Sequence, residues 1–282
     1  MAEKPQTRAG YPADLAELAH DTCLYVATIL GDLIENITVV GGLVPSLLVT
    51  PGGQDGSVES HVGTLDLDLG LSIAVFEESR YQEIAERLRG AGFTQAPNAK
   101  GRLSRQTWGI ETSRGRMTLD FLIPPTLPTD QPGKLRDLEP DFAAIIMPGL
   151  HLAFRDRQRV ELSGLTIRRE RAQRAIWVCG AGAFIVLKAL AFKFRGTNKD
   201  AYDLFYILKY FGRGMGDVVE RLRPLLQDAH CIEALTILRR DFLAQDGLGP
   251  MRVAHFLKGG PDDEIQADVV SFVSLLLSSL GT

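Results

Sequence analysis

Residues 61–71, HVGTLDLDLGL, constrain this chain more than any other stretch. Asp66 and Asp68 alternate with Leu65, Leu67 and Leu69, the period of two that marks a half-buried strand. Residues two apart share a strand face, so both carboxylates point the same way, about 7 Å apart at Cα. Two like charges on one face repel and lose hydration, which calls for compensation. A pair of hard divalent cations such as Mg²⁺ is one answer, because such ions prefer oxygen ligands. The solvated face of an amphipathic strand is the plainer one.

The sequence before this strand supplies a second feature. Apolar residues recur at helical spacing over 13–34, with Asp14 and Glu17 where carboxylates suit a helix N-terminus. A β-branched run, Ile37 to Val40, then predicts a short buried strand, ended by Gly41-Gly42 and followed by a short helix over 43–49. A strand, two glycines and a helix start leave backbone N–H groups around a spot that no Cβ obstructs, which suits phosphate. An ordinary tight turn reads the same way. Residues 54–60 are polar and contain glycine, an expected exposed loop, and Thr64 stands just before the carboxylate strand.

After a predicted amphipathic helix over 78–89, three strands are expected, over 93–96, 103–112 and 116–123. Asp120 sits alone in the last, within MTLDFLI. A lone carboxylate in such a run costs several kcal/mol if buried without a partner, so its face is open to solvent or it meets a cation. If this strand lies beside the first, Asp66, Asp68 and Asp120 converge, and three oxygen donors can hold two Mg²⁺ ions for an in-line displacement at phosphorus. Residues 124–140 read as a Pro-rich loop and 142–147 as a strand. Two further strands are expected around Ser163-Gly164, within a segment carrying Arg155, Arg157, Arg159, Arg168, Arg169, Arg171 and Arg174 against Asp156, Glu161 and Glu170. This is a local basic face able to take phosphates, or mixed-sign solvated surface.

Composition bounds the rest. A chain of 282 residues, 45% hydrophobic, builds one large domain or two modest ones. The net charge of −4 restricts any nucleic-acid contact to a local patch. Cys23, Cys179 and Cys231 are too few and too scattered for a disulfide framework or a zinc site. No signal-peptide pattern and no long apolar run occurs, so a soluble cytoplasmic protein with no membrane partner is expected. Beyond Trp177–Gly180 the pattern turns helical, with helices expected over 183–194, from Lys199 to about Tyr210, and over 217–228, 231–244 and 262–280; Gly247 to Pro250 reads as a break. Thr197 or Asn198 is placed to cap the second of these. Lys188 and Arg195 lie seven positions apart, close to two turns on one helix face. The expected organisation is an α/β domain over 1–178 and an all-helical domain over 179–282.

Strand–Gly-Gly–helix, then TLDLDL, then an isolated TLDFL resembles the catalytic core of the polymerase-β-like nucleotidyltransferase superfamily. LKALAFKFRGTNKDAYDLFYIL is similar to the helical motif of the AbiEii/AbiGii-type toxins of bacterial abortive-infection systems and their mycobacterial relatives. The ordered set of GG, DLDL, DF and K-x6-R-x3-KD-x2-D carries the likeness, which spans roughly 37–210. It implies an α/β (α+β) nucleotidyltransferase core, a mixed β-sheet flanked by helices, completed by the helical domain. It also implies NMP transfer from an NTP to an acceptor hydroxyl. Asp66 and Asp68 would be ligands of Mg²⁺ or Mn²⁺, with Asp120 as the third carboxylate, which positions or deprotonates the acceptor. Gly41, Gly42 and Thr64 would lie at the nucleotide. Lys188 would pair with its triphosphate, and Arg195 and Lys199 would do likewise or brace the site. Asp203 or Asp200 matches the acidic residue of the helical motif. The implied partners are an NTP, a tRNA 3′ end or other RNA acceptor, and an antitoxin protein.

Two other classes compete. One transfers the nucleotide to a protein or small molecule, or only binds it on the same fold. The other is a helical adaptor built on 180–282, which leaves Asp120 in its apolar strand unexplained.

Overall fold

In the computed structural model, residues 5–52, 58–72, 78–97, 101 and 103–281 are described; most of the expected loop over 54–60 lies outside them. The chain is mixed α/β and divides into two compact units. The first takes Asp14–Val44 and Gly63–Cys179; the second takes Lys4–Ala13, Pro45–Val62 and Gly180–Thr282. The helical unit therefore includes two segments from early in the chain.

In the first unit, nine strands of the described residues form one mixed sheet: β1 (Ile37–Val40), β2 (Asp66–Leu71), β3 (Thr94–Pro97), β4 (Leu103–Thr112), β5 (Gly115–Ile123), β6 (Leu135–Glu139), β7 (Phe142–Ile146), β8 (Arg157–Leu165) and β9 (Arg171–Cys179). The order is β3-β4-β5-β2-β1-β9-β8, with β7 also pairing β5 and β6 pairing β7. Strand β2 is antiparallel to β1 and parallel to β5. Its leucines, Leu67, Leu69 and Leu71, are fully buried, so the period of two does select a core face. Helices α1 (Leu15–Leu30) and α3 (Glu78–Gly90) pack on each other and on strands of the sheet. Phe142 anchors an aromatic cluster, 4.8 Å from Phe121 and 6.3 Å from both Trp108 and Tyr81. Burying such rings is worth several kcal/mol in total. The short helix α2 (Val44–Leu48) follows the two glycines, and α4 (His151–Arg155) follows β7.

In the second unit, α5 (Ala181–Arg195) packs on α6 (Asn198–Tyr210), α7 (Met215–Leu222) and α8 (Ala229–Phe242). Helix α6 packs in turn on α9 (Leu248–Lys258) and α10 (Asp263–Leu280). Three helix starts are capped by side chains. Thr197, Asp228 and Asp262 accept from the backbone N–H of Asp200, His230 and Ile265, each worth about 1 kcal/mol. Ring contacts knit the interior, Phe192 with Phe242 at 5.0 Å and Tyr202 with Phe256 at 4.6 Å. Polar contacts tie the early segments to α6 and to each other: Asn198 Nδ2 donates to the Gln6 carbonyl at 2.8 Å, Tyr206 Oη donates to the Glu59 carbonyl at 2.6 Å, and Arg8 pairs with Glu59 at 2.8 Å.

Several expected elements are corrected. Helix α1 stops at Leu30 because Gly31 adopts φ of +55°; residues 31–36 continue as a 3₁₀ turn. The region read as a loop over 124–140 contains β6, whose polar residues suit an edge strand and give no alternating signal. The β8–β9 turn lies at Thr166 to Glu170, not at Ser163-Gly164. The supposed break at Gly247 to Pro250 opens α9. Pro250 falls in the first turn, where its missing N–H has no intrahelical acceptor to lose. Among the described residues, no helix is long and apolar enough to cross a membrane. The three cysteines are free and buried.

Candidate metal centre and a buried ionic network

Strand pairing sets the first constellation. In the parallel pairing of β2 with β5, Asp68 stands directly across from Asp120, and Asp66 lies two residues before Asp68 on the same face. One carboxylate oxygen from each of Asp66, Asp68 and Asp120 lies within 4.8 Å of the others. Asp66 and Asp120 are each only 8% exposed, so this is not the solvated face of an amphipathic strand. Like charges at this separation repel strongly in a poorly hydrated site.

Neutral hydroxyls hold two of the three. Thr64 Oγ1 donates to Asp66 Oδ1 at 2.7 Å, and Thr107 Oγ1 donates to Asp120 Oδ1 at 2.5 Å. Each bond pins a carboxylate plane without neutralising its charge. The two glycines press against the same groups. Gly41 follows Val40, which stands opposite Asp68, and has φ of +70°. A Cβ on Gly41 would fall on the Asp68 carboxylate, and one on Gly42 would lie 2.6 Å from Thr64 Oγ1. The Gly-Gly pair is thus a close approach of backbone to the acidic cluster.

This donor set fits a divalent cation. All three groups are hard oxygen donors, the kind that Mg²⁺ and Mn²⁺ take, and a Mg²⁺ ion spans about 4 Å between opposite oxygens. Soft thiolate or imidazole ligands are not part of the triad.

The second constellation lies within the helical unit. Asp203, fully buried on α6, receives Lys188 of α5 on Oδ2 at 2.8 Å, Lys199 on Oδ1, and His61 Nε2 on Oδ1 at 2.8 Å. Lys188 also pairs with Asp200 Oδ1 at 3.1 Å, and Arg195 grips Asp200 through Nη2 at 2.9 Å and Nε at 3.1 Å. The helical spacing of Lys188 and Arg195 thus brings both to one carboxylate. Burial pushes the pKa of Asp203 up, but Lys188 and then Lys199 overcome it and hold the carboxyl far below the usual range. Burial likewise opposes charge on Lys188, yet Asp203 and Asp200 raise it above an ordinary lysine. For Lys199 burial wins, helped by Lys188, and its pKa is lowered. Asp200 is lowered by Lys188 and Arg195 against the opposing effect of burial.

His61 completes the network. Its ring stacks on Tyr202 at 5.3 Å and meets Tyr206 edge-on at 4.9 Å, while Nδ1 lies 3.1 Å from Ser46 Oγ. Burial, then Lys199, pushes its pKa down to about 4 despite Asp203, so the ring is neutral at pH 7. A carboxylate can only accept, so Nε2 carries the proton toward Asp203 and Nδ1 accepts from the Ser46 hydroxyl.

The sequence-predicted residues therefore fall into two groups. Gly41, Gly42, Thr64, Asp66, Asp68 and Asp120 come together in the first unit, and Lys188, Arg195, Lys199, Asp200 and Asp203 in the second. Of the basic run, Arg159 is bound to Glu35 at 2.8 Å, Arg157 lies 4.1 Å from the Trp177 ring centre, and Arg168 donates to the Ala91 carbonyl at 3.2 Å. These three serve the structure of their own unit. Sequence reading missed Thr107 and His61. The first had a usable signal: a two-residue hairpin at Ser113-Arg114 fixes a register that puts Thr107 opposite Asp120. The second had none, since His61 lies 142 positions from Asp203. Comparison with protein-family profiles and with curated proteins returned no match.

Proposed function

We propose that this chain is a divalent-metal-dependent nucleotidyltransferase that moves NMP from an NTP to an acceptor hydroxyl. The observation that carries the reading is the convergence of Asp66, Asp68 and Asp120 within 4.8 Å on adjacent strands, with Gly41 pressed against them. The motif likeness to the AbiEii/AbiGii-type toxins within the polymerase-β-like superfamily supports the same reaction class.

In this reading Asp66 and Asp68 bind Mg²⁺ or Mn²⁺, and Asp120 completes the ligand set. The metal supplies Lewis-acid stabilisation of charge on the phosphate oxygens. The acceptor oxygen bonds to the α-phosphorus as the bond to the β-phosphate bridging oxygen breaks, and pyrophosphate leaves. Asp120 orients the acceptor hydroxyl and takes its proton. Thr64 and Thr107 keep the carboxylates in place, which matters because positioning and electrostatic stabilisation do most of the work in phosphoryl chemistry. Gly41 and Gly42 leave room for backbone approach to phosphate; the motif likeness alone assigns Lys188, Arg195 and Lys199 to the triphosphate.

The test is transfer from α-³²P-labelled ATP, CTP, GTP and UTP, with Mg²⁺, to total bacterial RNA and to total protein, beside the Asp66→Asn variant. Label in RNA that the variant loses assigns the reaction, the base and a polynucleotide acceptor such as a tRNA 3′ end. Label in protein moves the acceptor to a polypeptide hydroxyl. No label, together with no Mg²⁺-dependent shift in Tm on adding any NTP, overturns the proposal.

A further inference from the structure

The first unit also holds a cavity of about 350 Å³, walled by the first half of α1, the β4–β5 turn and the end of the β8–β9 hairpin. One wall residue has an unusual backbone. The hairpin closes through Thr166 N–H on the Glu170 carbonyl at 2.9 Å and Arg169 N–H on the Thr166 carbonyl at 2.8 Å. The last residue of such a three-residue loop takes the left-handed region, where glycine is the usual occupant. Here it is Arg169, with φ of +65°, the only residue other than glycine with positive φ among the described residues. An arginine kept where glycine would be at ease points to a use for its side chain.

The contacts of the wall say which of its groups are open. Asp21 is occupied: Arg114 grips it through Nη2, and His20 Nδ1 lies 3.4 Å away. Arg114 reaches Glu17 only at 3.4 Å, and the Glu17 side chain is 71% exposed. The Arg169 side chain has no ion pair or hydrogen bond among the described residues. The wall therefore offers one open guanidinium, one loosely held carboxylate and the apolar surface of Leu165, 42% exposed, and of half-buried Ile167. A guanidinium takes a carboxylate on two parallel N–H bonds, and a carboxylate takes an ammonium. A ligand of a single sign would be repelled by one of these two groups. A zwitterion meets both.

We infer that this cavity binds a free α-amino acid with an apolar side chain: Arg169 takes its carboxylate, Glu17 its ammonium, and Leu165 and Ile167 its side chain. The volume falls at the lower end of small-molecule sites, roughly 300–1,000 Å³. The site takes no residue from the triad or from the helical unit, so it stands whether or not the chain transfers nucleotides.

The probe is L-leucine, titrated into the full chain and followed by the amide shifts of Ser113, Arg114 and residues 166–170 in ¹H–¹⁵N NMR. Two analogues separate the charges: 4-methylpentanoate is leucine without its ammonium, and 3-methylbutylamine is leucine without its carboxylate. Arg169→Gly removes the guanidinium and suits the left-handed backbone, so its Tm should equal that of the wild type or exceed it. The expected result is saturation by leucine with Kd of about 1 mM or tighter. Arg169→Gly should weaken it about tenfold or more, the size of a lost hydrogen bond to a charged group. Glu17→Gln should weaken it about threefold, because that carboxylate is exposed. Both analogues should bind about tenfold more weakly than leucine or not at all.

No saturating shift at these amides with leucine up to about 10 mM overturns the inference, as does equal affinity in Arg169→Gly and wild type. Binding of 4-methylpentanoate as tight as that of leucine overturns it too, since the site would then read an anion and not a zwitterion. If Arg169→Gly does not fold, Arg169→Asn takes its place, because asparagine also tolerates the left-handed region; the same loss supports the site and equal affinity overturns it.

Discussion

The acidic triad of the sheet and the ionic network of the helices both gather carboxylates, yet they settle the charge in different ways. Asp66 and Asp120 each accept from a threonine hydroxyl, a donor that orients an oxygen without itself carrying charge. Around Asp203 the donors are two ammonium groups and an imidazole, and the charge is met. The first arrangement gathers three oxygen donors of the kind that a hard cation takes. The second is a structural element in its own right. The same residue type, aspartate, thus forms a candidate ligand set in one unit and a keystone in the other.

The comparison is broken or sharpened most strongly by the same substitution made on both sides. Asp68→Asn is expected to lower nucleotide transfer by about 10³-fold or more, as loss of one member of a catalytic set does. Removing one of three mutually repelling charges should leave the metal-free Tm unchanged or raised; a large fall in Tm would make the triad structural. Asp203→Asn is expected to show itself first in stability. It leaves Lys199 buried against a neutral acceptor and Lys188 with Asp200 alone, a loss of about 3–5 kcal/mol of stability, read from urea unfolding. Equal stability in that variant would show that the network is not holding the helices.

Acid should separate the units by another route. With His61 at about 4 in the fold and about 6.5 when unfolded, the unfolded chain binds the proton first. Stability should therefore fall as pH drops from about 6.5 to 4, by up to about 3 kcal/mol from this group. Asp203 and Asp200, held below the ordinary carboxylate range, add a further loss below about pH 4. The His61→Gln variant should flatten the upper window and leave the lower one. An unchanged slope above pH 4 would show that His61 is not held neutral.

The smallest effect lies with the hydroxyls. Thr107→Val keeps the shape of the side chain and removes the donor to Asp120. Mn²⁺ affinity, followed by electron paramagnetic resonance, should weaken about tenfold, the lower end for a residue that orients a metal ligand. Thr107→Ser should restore it. Equal Mn²⁺ affinity in the valine variant would mean that Asp120 is placed by its strand alone.

Much of the sheet's centre was legible because short-range periodicity carries it. Leu67, Leu69 and Leu71 mark the core face of β2, and the β-branched run of β1 and the lone Asp120 of β5 mark its neighbours. Edges and turns were harder to read. Strand β6 has polar residues on an exposed edge, and α9 begins with residues that break helices elsewhere. The triad could be anticipated, since Asp68 and Asp120 needed only adjacent strands. The ionic network was half visible, through the helical spacing of Lys188 and Arg195. Its remaining part depends on His61, whose tie to Asp203 spans about half the chain and leaves no local pattern.

That tie has a consequence for how the protein is made and cut. The helical unit draws on segments made well apart: Lys4–Ala13 and Pro45–Val62 leave the ribosome before most of the sheet, and their partners on α6 follow more than a hundred residues later. Until then His61, Glu59 and Gln6 have no helices to join. Cleavage after Cys179 would free a fragment in which Asp203 has lost its imidazole and Tyr206 its carbonyl acceptor. The obvious border in sequence is therefore not a seam along which the chain comes apart into two self-sufficient pieces.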